Sequence, residues 1–124
     1  MTNPNSQLRP IALTLRAEGL AIGISAIVAF AQTGASWLLF GLLILSPDLA
    51  MLGYLVGKRA GAICYNVAHS YLGPVLLFGA ALIWAVPLAT QVALIWTAHI
   101  GLDRALGYGL KYPTAFRDTH LARV

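Results

Sequence analysis

Four apolar runs dominate the chain. Residues 11–31 form the first. Arg16 and Glu18 lie in its opening turns, no charge follows from Gly19 onward, and Gln32-Thr33-Gly34 ends it with turn chemistry. Residues 37–56 form the second, interrupted by Ser46-Pro47-Asp48 and closed by Lys58-Arg59. No Asp, Glu, Lys or Arg occurs from Ala60 to Leu102, a stretch too long for one crossing, and Pro87 divides it into runs at 60–86 and 88–110. Each run meets the roughly 20 residues needed to cross about 30 Å of hydrocarbon. No apolar/polar alternation persists, and strands in lipid would need a closed barrel. The pattern predicts an all-α integral membrane bundle of four transmembrane helices in a single domain, followed by an interfacial tail at 111–124.

Composition agrees: 59% of the 124 residues are hydrophobic and 10% charged, against about 25% charged in a soluble domain. The formal charge of +4 does not point to nucleic acid, because all eight basic residues flank apolar runs. Arg9 and Arg16, Lys58 and Arg59, and Arg104, Lys111, Arg117 and Arg123 fall in regions that four crossings place on one side. The opposite loops, near Thr33 and Thr90, carry no charge. The positive-inside rule then puts both ends in the cytoplasm, and the expected location is a bacterial inner membrane. The polar stretch 1–10 reads as a retained cytoplasmic tail rather than a secretory signal. Cys64 is the sole cysteine, which excludes an intramolecular disulfide or a Cys-rich zinc motif.

Topology brings scattered polar residues to one level. At about 1.5 Å per residue, Glu18, Asp48, His69, His99 and Asp103 lie roughly 10 to 16 Å below the cytoplasmic helix ends. Ionisable side chains at that depth cost on the order of 2.5 to 3.5 kcal/mol each and face a bundle interior or a wet cavity. His99 and Asp103, four apart, share a helix face, and Tyr65 and Asn66 precede His69 closely enough to orient its ring. Two imidazoles with two or three carboxylates and no thiolate suit a catalytic divalent ion such as zinc, manganese or iron. Asp48, His69, His99 and Asp103 are the candidate ligands, with Glu18 and Asp48 the candidate catalytic carboxylates. Other roles compete: Ser46-Pro47-Asp48 can start a helix with Ser46 as its cap, Glu18 can pair with Arg16 or Arg104, and Asp103 can pair with Arg104 at the interface.

The segments Ser46-Pro47-Asp48-Leu49-Ala50-Met51-Leu52-Gly53-Tyr54, Tyr65-Asn66-Val67-Ala68-His69, Ala98 to Tyr112 and Thr119-His120-Leu121 closely resemble the small bacterial membrane proteins of the domain of unknown function 4260 family. That resemblance covers most of the chain and implies no activity. More remotely, Pro47-Asp48, His69-Ser70 and His99 with Asp103 are similar to the PD, THS and HxxxD motifs of inner-membrane metal-dependent hydrolases. Ala68 replaces the Thr of that pattern, and Glu18 stands where its first helix carries a His. This resemblance implies a hydrolase acting on a lipid or other amphiphile from the cytoplasmic leaflet, with Lys58, Arg59, Lys111 and Arg117 near a headgroup. A non-catalytic accessory subunit of a larger membrane complex, with haem between His69 and His99, and a proton or ion pathway are the alternatives.

Overall fold

The computed structural model describes residues 4–107, with side chains from Pro10 onward. Every regular element in it is helical: α1 (Pro4–Gln32), α2 (Trp37–Leu43), a 3-10 segment (Ser46–Leu55), α3 (Lys58–His69), α4 (Leu72–Ile83) and α5 (Pro87–Leu106). The tail at 111–124 expected at the interface, with Lys111, Arg117 and His120, lies outside the described residues, as do residues 108–110 of the fourth run.

Pro10–Gln32 and Trp37–Leu55 are each long and apolar enough to cross a membrane, and α3 with α4, bent by 42° at their junction, form a third such span. The 20 residues of α5 extend about 30 Å and make the fourth member of this all-α membrane bundle. α5 is also the most enclosed: Ala93, Ile95, Ala98, His99, Ile100, Gly101 and Arg104 are buried. Leu38, Leu42 and Leu52 on the second span stay more than 60% exposed, which suits a surface solvated by lipid tails rather than water.

α1 begins at Pro4 rather than at residue 11. Proline is accepted in a first helical turn, where its missing N–H would have no partner, so the polar N-terminal stretch continues into helix. α1 and α5 approach closely where both carry glycine. A Cβ on Gly101 would lie 2.5 Å from the Gly23 nitrogen and 2.6 Å from the Gly19 carbonyl oxygen. Small residues let membrane helices pack backbone to backbone. Arg16 fastens the same pair about one turn away, its Nε donating to the Ala105 carbonyl at 3.0 Å.

The two interrupted spans break for local reasons. Pro47 has no N–H to offer Leu43, so the Ser46 hydroxyl donates to that carbonyl at 2.7 Å. The Asp48 N–H then turns to Leu45 at 3.0 Å in a tighter 3-10 step. Ser46 therefore bonds backward to close α2 instead of capping the helix ahead. In the third span Ser70 is extended, with φ −89° and ψ 142°. Its hydroxyl accepts the Leu72 N–H at 3.2 Å and starts α4.

Candidate metal centre

Both breaks end beside one face of α5. α3 stops at His69, and the last carbonyls of a helix have no partner within it. Side chains of α5 take two of them: Trp96 Nε1 donates to Ala68 at 2.5 Å and Arg104 Nη2 to His69 at 3.0 Å. The guanidinium sits at a helix C-terminus, where positive charge is favoured, with its carbon 5.7 Å from the centre of the Tyr71 ring. On α2 the break leaves the Ile44 carbonyl free of the Asp48 N–H, and His99 Nδ1 donates to it at 2.6 Å.

Between these anchors Asp48, His69, His99 and Asp103 converge, one ligand atom from each lying within 4.8 Å of the others. His69 Nε2 is 3.0 Å from Asp48 Oδ1 and 3.4 Å from Asp103 Oδ2. His99 Nε2 is 3.1 Å from each of the same two atoms. The two Nε2 atoms are themselves 3.0 Å apart. His69 Nδ1 meets the Tyr65 carbonyl at 3.0 Å, and the Tyr65 ring stacks on the imidazole with centroids 3.8 Å apart. His69 and His99 are buried, whereas the Asp48 and Asp103 side chains keep 33% and 19% of their exposure. The carboxylates are therefore the open side of the cluster.

The tautomers decide what this arrangement does. A carbonyl oxygen can only accept, so Nδ1 of each ring carries a proton. In the neutral rings both Nε2 atoms are then bare lone pairs, aimed at one another and at two carboxylate oxygens. Four acceptors meet with no hydrogen among them, an arrangement that repels itself unless a cation or added proton sits at the centre. Ligand atoms bonded at about 2.0–2.2 Å to one ion lie about 2.8–3.6 Å apart at octahedral or tetrahedral angles, a range that takes in the histidine–aspartate spacings. The backbone carbonyls behind the rings complete the outer layer that orients metal-bound histidines. This buried group can hold a metal ion. Haem does not suit it: two axial nitrogens stand about 4 Å apart, twice a bond of roughly 2.0 Å, with a porphyrin between them.

The model of a family described as "Domain of unknown function (DUF4260)" matches residues 12–124. The chain belongs to this family. No curated protein and no solved structure matches it. The DUF4260 match takes in all four cluster residues and runs past the described residues to the end of the chain.

Of the five residues that depth alone places at one level in this DUF4260 chain, Glu18 lies outside the cluster. It is exposed on α1 and lines a separate small niche with Tyr71 and Arg104. The α1 face packed directly on α5 is the glycine face at Gly19 and Gly23, beside Gly101 and Arg104, so Glu18 comes to the Arg104 side of α5 rather than to the cluster. Three spans, not four, bring residues to the cluster. Arg104, read from sequence as a topology marker or partner of Asp103, is buried and bonded to the His69 backbone. Spacing gave little signal for it: Trp96, His99 and Asp103 stand three and four apart along one helix face, but Arg104 follows Asp103 directly, about 100° further round the helix. The role of the Ile44 carbonyl had no signal beyond Pro47 itself.

Proposed function

We propose that the protein is a membrane-embedded, metal-dependent hydrolase, with the ion held by His69, His99, Asp103 and Asp48. The observation that carries this reading is the meeting of two imidazole Nε2 atoms, each ring's Nδ1 turned to a backbone carbonyl, with two carboxylates, the imidazoles sealed and the carboxylates open. A set of neutral nitrogens and hard oxygens without thiolate suits zinc, manganese or ferrous iron. A divalent ion there supplies Lewis acidity and brings water toward ionisation near neutral pH.

In this scheme Asp48, the more exposed carboxylate, accepts the proton as water adds to an ester carbonyl or phosphoryl centre. The bond to the leaving oxygen breaks, and that oxygen takes the proton back. One water is consumed, and an acid and an alcohol are released. With Nδ1 of His69 and His99 donating to the Tyr65 and Ile44 carbonyls, it is the Nε2 atoms that are left to face the ion. The location supports a lipid or other amphiphile as substrate, reached from the cytoplasmic leaflet of a bacterial inner membrane with both chain ends in the cytoplasm. Lys58 and Arg59, exposed at the start of α3, are available to a headgroup on that side.

The test is to purify the protein in mild detergent without chelator, measure metal per chain, and assay release of acid from lipid esters and phosphoesters before and after chelation. Hydrolysis that is lost with the metal and restored by its return supports the reading. Protein that binds none of the three metals overturns it and leaves the non-catalytic accessory subunit as the better account.

A further inference from the structure

An apolar groove of about 280 Å³ is walled by Leu43, Pro47 and Ala50 on the second span and by Val92, Ile95 and Trp96 on α5, with Pro47 and Ala68 of its lining next in sequence to Asp48 and His69 of the cluster. We infer that this groove holds one acyl chain of the substrate, with the chain's polar end at the cluster. The inference rests on the hydrolase reading and names the substrate class of the same site.

The groove's lining selects hydrocarbon. Its one hydroxyl, Ser46, is already committed to the Leu43 carbonyl, and the Trp96 N–H is committed to Ala68. A polar occupant would lose its hydration with nothing in return. Size selects a single chain: at about 30 Å³ for a group the size of water or a methylene, the space takes roughly nine. A partner helix would need pockets for several side chains at successive turns.

Sequence position fixes the direction. Pro47 directly precedes Asp48, Ala68 in the groove wall directly precedes His69, and Ile95 stands one turn before His99 on the same face. On α5 the groove's wall runs from Trp96 and Ile95 to Val92, away from His99, which lies about 10 Å from Val92 at the helical rise. Arg16 and Arg104 lie at the opposite, C-terminal end of α5. An amphiphile with its head toward these arginines therefore has its tail in the groove and its first bonds beyond the headgroup at the cluster.

Trp96 reports occupancy. In the full chain carrying Trp37→Phe and Trp84→Phe it is the sole tryptophan. A fatty acid brominated at mid-chain, added to micelles of unbrominated detergent, is expected to quench its fluorescence saturably. Ala50→Leu and Val92→Phe, which fill the groove from opposite walls, are each expected to weaken that binding about tenfold, the scale of a methylene-sized misfit, without changing metal content. Quenching that rises in proportion to the probe's mole fraction and is equal in all three proteins overturns the proposal. Wild-type saturation is required in its own right and depends on neither variant. Saturable binding in protein that retains no metal keeps the acyl site and removes the hydrolase; metal-dependent hydrolysis of short-chain and long-chain esters at equal rates does the reverse.

Discussion

His69 and His99 face each other with Nε2 atoms 3.0 Å apart, the Nδ1–H of each ring donating to a backbone carbonyl, of Tyr65 and Ile44 respectively. The two carbonyls come from different spans, α3 and the end of α2, so the pair is set by the backbone rather than by the rings themselves. A centre of this kind binds its ion without first having to choose a tautomer.

Asp103→Asn is accordingly expected to lower metal affinity by more than the 10- to 100-fold typical of outer-layer substitutions, with the helical bundle intact by circular dichroism. The amide nearly matches the carboxylate in shape but carries no negative charge. Metal per chain after dialysis against a graded chelator is the measurement. Unchanged metal content would show that Asp103 is not a ligand.

Pro47→Ala tests the outer layer without touching a ligand. Restoring an N–H at residue 47 lets the helix bond Leu43 and then Ile44 in sequence, drawing the Ile44 carbonyl away from His99. The expected result is an affinity lower by about tenfold, together with a change in the visible spectrum of cobalt-substituted protein. An unchanged spectrum would mean that the Ile44 bond does not orient His99.

Much of this was legible in the chain itself. Four spans, the division at Pro87 and the break at Pro47 follow from where charge and proline fall, because lipid excludes the first and a proline within a span removes a helical hydrogen bond. Depth counting brought Asp48, His69, His99 and Asp103 to one level, but depth carries no information about rotation around a helix axis. That is why Glu18 shared the level without sharing the site. The glycines that turn α1 were visible at Gly19 and Gly23, but their partner Gly101 was not identifiable until the two helices were seen together. The kink at Ser70 went unread, since Ser and Tyr are ordinary helix residues and Pro74 lies within the turn that follows.

Gly101→Ala is expected to destabilise the bundle by roughly 1–3 kcal/mol, the usual range for overpacking. The added methyl meets backbone atoms of α1 at Gly19 and Gly23, which cannot rotate away as a side chain can. Gly79, whose added Cβ would touch nothing within 4 Å, is the control: Gly79→Ala should be neutral or slightly stabilising. Equal melting temperatures for the two variants would contradict the α1–α5 packing.

Arg104 gives the sharpest contrast between reading the residue as a surface charge and seeing where it sits. As a topology marker, or as an interfacial partner of Asp103, it should tolerate Gln with a small loss of thermal stability and no change in bound metal. Buried and bonded to the His69 carbonyl, it instead ties the C-terminus of α3 to α5. That is the one point where the residue bearing a ligand is also the last residue of its helix. Arg104→Gln leaves that carbonyl to seek another donor and lets His69 shift relative to His99, so metal affinity is expected to fall 10- to 100-fold. Arg104→Lys keeps the charge but offers a compact ammonium in place of a planar fork that can bond the carbonyl and lie over Tyr71 at once; it should restore stability more fully than affinity. Isothermal titration of metal into the apo forms, run beside thermal melts of the same samples, separates the two quantities. If both variants bind metal as the wild type does and lose only melting temperature, Arg104 holds the bundle together without positioning His69.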